Sequence, residues 1–209
     1  MQDGTSGATP SDAAPPIDPK LFRRVMGAFA SGVTVVTTVA EGDQGGGSGQ
    51  VGGQVRGQVR GQVRGQFRGQ VRGMTVSAFM SGSLDPPLCV ISIRKAARMH
   101  PLLLATGHFG VSILARSQER VSGHFAGQPM EGFTPELIWA GPTPMLANAS
   151  AVIAADLATQ HECGDHTLLI GHIRYMAAHG LPPLLVHEGR YAGLAYGPES
   201  GHDWVVDIW

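Results

Sequence analysis

Cysteine is nearly absent from this chain: Cys89 and Cys163 are the only two in 209 residues, and Cys89 sits inside the apolar run LCVISI. A secreted scaffold stapled by disulfides is therefore excluded. The N-terminus has neither a basic start nor an apolar stretch that could direct secretion. Apolar runs such as Leu102–Leu104 fall far short of the roughly 20 residues needed to span a bilayer. Together these absences predict a cytoplasmic protein without a membrane partner.

A large net charge is also lacking. The formal value is −1, which gives no global attraction to nucleic acid. Five of the 15 Lys and Arg crowd into residues 54–73, where no acid occurs, leaving 10 cationic side chains against 16 acidic ones and a net of about −6. The body of the chain is mildly acidic. An apolar content of 43% at this length is enough for one sizeable core, so a single domain is expected over 18–195.

Residues 1–17 are small, polar and proline-bearing, and read as a disordered tail; 196–209 read as a C-terminal tail. Asp18-Pro19 offers a helix cap followed by a first-turn proline, and Leu21, Phe22, Val25, Met26 and Phe29 recur at helical spacing. This predicts a short amphipathic helix docked on a core. Val33–Val39 is β-branched throughout and predicts a buried strand. Beyond the repeat described below, MTVSAFMS reads as one strand, LCVISI as another, Met99–Thr106 as a helix closed by Gly107, and Phe109–Leu114 as a strand. Ser117–Phe125 has a helical pattern, and a Gly/Pro-rich passage runs to about Pro144. Ala151–Ala158 and Thr167–Ala177 then flank the turn Gly164-Asp165-His166, and Leu184–His187 is the last strand candidate. Many strands and three short helices point to a β-barrel with helical decoration.

Between the first two strands lies a low-complexity insertion over 42–72, ending in five near-identical tetrapeptides, GQVR GQVR GQVR GQFR GQVR. A period of four is too short for a solenoid unit. In extended form Gly and Val/Phe would share one face and Gln and Arg the other. The expectation is an expanded hairpin tip, ordered only near its base.

The stretch GMTVSAFMSGSLDPPLCVISIRKAARMH, with FRRVMGAFASGVTVVTT before it and GDHTLLIGHI after it, resembles the short-chain NAD(P)H:flavin oxidoreductases, the reductase components of two-component monooxygenases. The resemblance implies a mainly β fold, an FMN-binding split barrel of six strands with a few short helices, working as a homodimer with a separate oxygenase partner. It implies FMN or FAD with NAD(P)H as cofactors. Thr75, Val76, Ser77 and Ala78 would then lie along the flavin, Ser92, Ile93 and Arg94 would flank its ring and ribityl chain, and Asp165 would join the binding set. A flat tricyclic ring needs an apolar slot with small donors and acceptors at its rim, and these residue types provide them. The family often reads Ser-Arg-Thr where this chain has Ala97-Arg98-Met99, so Arg98 is retained for the flavin phosphate while both hydroxyls are lost. His166 is expected where nicotinamide approaches the flavin, to position the dinucleotide or donate a proton.

Competing readings are weaker on physical grounds. Gly47-Ser-Gly49-Gln-Val-Gly52 matches a dinucleotide fingerprint, but no amphipathic helix follows it. His161, Glu162, Cys163, Asp165 and His166 are close in sequence without a metal-ligand spacing, so no metal is expected. The Arg-Gly tract could bind RNA, though a tolerated surface insertion is the simpler account and a nucleic-acid partner is not expected. A protein that keeps its flavin and reduces a corrinoid or ferric chelate, or binds flavin without turnover, is the alternative function.

Overall fold

The computed structural model describes residues 16–40 and 69–195. Helix α1 (Pro19–Gly27) starts where Lys20 N–H donates to the Asp18 carboxylate at 3.0 Å. Strands β1 (Ser31–Gly32), β2 (Thr34–Ala40), β3 (Gln70–Val76), β4 (Phe79–Ser83) and β5 (Leu88–Arg94) lead to α2 (Met99–Thr106). Then follow β6 (His108–Ile113), a 3-10 turn at Arg116–Gln118, α3 (Glu119–Phe125), and the hairpin of β7 (Leu137–Ala140) and β8 (Thr143–Leu146). Long strands β9 (Ala151–Cys163) and β10 (His166–Ala178) precede the short β11 (Leu185–His187) and β12 (Arg190–Ala192).

Among the described residues, seven strands form one antiparallel sheet in the order β3-β2-β6-β9-β10-β5-β4. Its two edge strands, β3 and β4, are consecutive in the chain, joined only by Ser77-Ala78. Three Cα steps from Val76 to Phe79 reach at most about 11 Å. The sheet must therefore roll until its edges meet, and since no ladder joins β3 to β4 the result is a barrel with a split. The expectation of a mainly β split barrel with short helices is met. The seventh strand arises because MTVSAFMS breaks at Ser77-Ala78, where Phe79 N–H donates to the Ser77 carbonyl at 3.0 Å, and sends its halves to opposite edges.

The interior is packed by Val36, Val76, Ile91, Ile93, Phe109, Val111 and Leu169, with Met99 and Leu103 of α2 closing over them. Phe109 lies across Gly171, where an added Cβ would stand 2.5 Å from the Phe109 ring and 2.8 Å from the Ala155 Cβ. A second cluster outside β2, including Val33, Val35, Leu114 and Leu184, takes in Val71 and Phe125. β2 is thus covered on both faces, as its unbroken β-branched run requires.

Other expectations are corrected. The apolar stripe of α1 exists but does not dock on a core: none of its residues is buried, and Phe22, Val25, Met26 and the following Phe29 are 54–79% exposed. This end of the chain is held by backbone, with Glu188 N–H donating to the Gly27 carbonyl at 2.9 Å and β1 paired to β11. The Gly/Pro-rich passage hides the β7–β8 hairpin, because Gly141-Pro142 is a tight turn inside it, with Gly141 at φ +57°. β9 and β10 run closer to their turn than expected. The last repeat unit pairs as the base of a β2–β3 hairpin, Ala40 opposite Gln70, with Val71 turned to the apolar cluster. The hairpin tip and both tails fall outside the described residues, apart from Pro16 and Ile17.

Gly171→Ala should destabilise the fold by about 1–3 kcal/mol, because the added methyl would overlap the buried Phe109 ring and the Ala155 Cβ. Chemical denaturation of the variant checks this, and an unchanged midpoint would contradict the packing described.

Candidate active site

Strands β5 and β10 pair with His166 opposite Arg94, Leu168 opposite Ser92 and Ile170 opposite Val90. The intervening Ile91, Ile93, Thr167 and Leu169 point into the barrel and are buried. The outer face is therefore a strip of half-buried Val90, Leu168 and Ile170, with the Ser92 hydroxyl beside it and Arg94 and His166 at one end. On β9 the directly opposed residues are His161 across from Leu168 and Cys163 across from His166. The split in the barrel adjoins this face, since Ser92 N–H donates to the Ala78 carbonyl at 3.0 Å.

β9 and β10 are joined by a two-residue loop whose first position has φ +59°, which Gly164 supplies without strain. The second, Asp165, accepts from His166 Nδ1 at 2.7 Å, while Arg94 Nε lies 3.8 Å from its other oxygen. The hydrogen bond from His166 first, then the charges of His166 and Arg94, hold the Asp165 carboxyl below the usual carboxylate value. With Nδ1–H committed to Asp165, Nε2 is the ring atom left for a ligand. Lys95 donates its backbone N–H to the Asp165 carbonyl at 3.0 Å and pairs its ammonium with Glu162.

The sequence-predicted residues divide by orientation. Ser77, Ala78, Ser92, Arg94, Asp165 and His166 gather around the split and the outer face, all exposed or half-exposed. Arg98 is exposed immediately before α2, at the end of the turn that follows Arg94. Val76 and Ile93 face the core, so they reach a ligand only through backbone. Thr75 is turned to the opposite side of β3, its hydroxyl donating to the Ser122 carbonyl at 2.7 Å. Val90, Leu168 and Ile170 were not singled out from sequence. Their signal was present: LCVISI and HTLLI are apolar on both alternating faces, more than a strand buried on one side needs. Burial pushes the Cys89 thiol up to about 11, so it packs and does not react, whereas Cys163 is exposed.

The set fits a flavin. An apolar strip could take the ring, the hydroxyls of Ser77 and Ser92 could meet its heteroatoms, and Arg98 could meet phosphate. Among the described residues no three His, Cys, Asp or Glu converge as metal ligands. Fold and candidate site together describe a split barrel with a half-buried apolar strip beside its seam, ending in a cationic and imidazole cluster.

The chain belongs to the family of flavin reductase-like domains, whose description matches residues 26–195. It is 34% identical over 186 residues to an NADH-dependent flavin reductase of a Rhodococcus species, covering 89% of this chain and 92% of that one. Identity is 32% over 178 residues to the reductase component of 4-hydroxyphenylacetate 3-monooxygenase from Thermus thermophilus, covering 84% and 96%. The solved NADH:FAD oxidoreductase SgcE6 of Streptomyces globisporus, in complex with NAD and FAD fragments, superposes with a TM-score of 0.66 at 31% identity, covering 90% of this chain and 99% of that one.

Behind β3, α3 is held by its own titratable group. His124 is buried, stands edge-on to Phe125 and Phe133, and accepts the Met130 N–H on Nδ1 at 3.0 Å. Burial lowers its pKa from the ordinary 6.5, and protonating Nδ1 would put a proton against the Met130 N–H. The unfolded chain binds this proton more readily, so stability is full above pH 6.5 and is lost as pH falls through the lowered folded value. Unfolding free energy measured across that range should fall with acidity, and His124→Asn, which keeps an acceptor that does not titrate, should flatten the curve. Equal slopes for both proteins would remove His124 as the source.

Proposed function

We propose that the chain takes hydride from a reduced nicotinamide cofactor, passes it to FMN or FAD on the outer face of β5 and β10, and releases reduced flavin to a separate monooxygenase. The observation that carries this reading is the convergence of Ser92, Arg94 and His166 on one half-buried apolar strip beside the Ser77-Ala78 seam. Relatives named for NADH support NADH as the donor.

Bound there, the flavin supplies the electron-accepting ring that takes the hydride. The protein contributes orientation and charge. Ser77, Ala78 and Ser92 offer small polar groups and backbone to the ring edge, and Val90, Leu168 and Ile170 exclude water from its face. Arg98 presents a planar fork to the phosphate, with Arg94 as a second cation. Asp165 fixes the His166 ring so that Nε2 faces the incoming nicotinamide, where it orients the dinucleotide or hands on a proton.

The exposed stripe of Leu21, Phe22, Val25 and Met26 supports a homodimer, since an apolar face of this kind is normally covered. Phe22→Glu with Val25→Glu should then yield a monomer by light scattering; a doubly substituted protein of unchanged mass would refute that role for α1. Free Cys89 and Cys163 are in keeping with a reducing cytoplasm.

The experiment is a steady-state assay of nicotinamide absorbance with FMN, FAD and riboflavin in turn. Consumption should depend on added flavin. His166→Ala should slow hydride transfer more than it weakens flavin binding, and Arg98→Ala should weaken flavin affinity by about 1–3 kcal/mol. Wild-type protein that consumes neither NADH nor NADPH would sink the proposal. Flavin that co-purifies tightly and transfers slowly would favour a retained cofactor with another acceptor.

A further inference from the structure

We infer that His100 is a positioning residue, which ties the Arg98 turn to His166 and so couples occupation of the phosphate site to the placement of the nicotinamide-facing ring. This rests on the roles assigned to Arg98 and His166 above. Two hydrogen bonds leave the segment Lys95–His100, one for the β9–β10 turn and one for β10, and they land on either side of His166. Before it, Lys95 N–H donates to the Asp165 carbonyl at 3.0 Å. After it, the His100 Nε2 and Thr167 hydroxyl are 2.9 Å apart.

The segment between these anchors is itself braced. Ala97 N–H donates to the Arg94 carbonyl at 2.9 Å and His100 N–H to the Ala97 carbonyl at 3.0 Å. A displacement at Arg98 is therefore passed to Asp165 and Thr167, the two neighbours of His166. Thr167 is 1% exposed and lies on the inner face, where His100 is its one hydrogen-bonding side chain among the described residues. An aliphatic residue at position 100 would leave that hydroxyl without its partner. Thr167 can donate or accept, so the bond holds for either imidazole tautomer.

The test is kinetic, on the full chain, with FMN and riboflavin as alternative acceptors. His100→Leu and Thr167→Val should each lower kcat/KM for NADH by about tenfold, mainly through KM, because a small misplacement of a reacting group costs that much. The double variant should be no worse than either single one, and His100→Gln, which can reach the same hydroxyl, should recover most of the loss. FMN should outperform riboflavin in the wild type, and His100→Leu should shrink that advantage. Additive losses in the double variant overturn the inference. So does a loss confined to melting temperature with an unchanged KM for NADH, or an FMN advantage that is absent in the wild type or survives His100→Leu. His166→Ala in the same series separates the two levels: normal nicotinamide kinetics there sinks the site reading itself, whereas an impaired His166→Ala beside a normal His100→Leu sinks only the role of His100.

Discussion

A two-residue link governs this molecule. Ser77-Ala78 joins the two edges of one antiparallel sheet, and a link that short leaves the sheet no option but to close on itself. Closure creates an interior, filled by Phe109, Ile91, Ile93 and Leu169, and it brings the two edge strands together at one seam. It also leaves one gap where the ladder fails. Ser77 and Ala78 are exposed at that gap, and Ser92 of β5 is tied to it through its N–H to the Ala78 carbonyl.

The second consequence concerns β5 and β10, which alternate buried with half-buried residues while staying apolar on both faces as far as Val90, Leu168 and Ile170. Inward side chains hold the barrel; outward ones form a platform that water covers poorly. Beyond the Ser92 hydroxyl, charged groups gather at one end, where Arg94, Asp165 and His166 meet across the β9–β10 turn. A flat apolar ligand with one charged arm matches that gradient.

Much of this was legible from residue pattern. The strands LCVISI and HTLLIGHI, the helix over Met99–Thr106 and the glycine turn before Asp165 follow from alternation, helical spacing and φ > 0 preference. The break in MTVSAFMS was not, because its alternation continues through Ser77 and only tertiary closure divides it. Amphipathicity told that α1 carries a stripe but not what meets it. The roles of Thr75 and His100 depend on partners 47 and 67 residues away, which no local pattern encodes.

The position of the Gly-rich insertion follows from the same geometry. In the β2–β3 ladder, Thr34 opposite Val76 marks the end at the seam and Ala40 opposite Gln70 the other end. Six residues of strand separate them, about 20 Å at the rise of a β-strand. Chain added between 40 and 70 is thus attached at the opposite end of this ladder from Ser77. Its entropic cost grows only with the logarithm of its length. Expansion of the repeat is tolerated there because it leaves the register that sets the seam unchanged, whereas the same insertion at Ser77-Ala78 would release the constraint that closes the barrel.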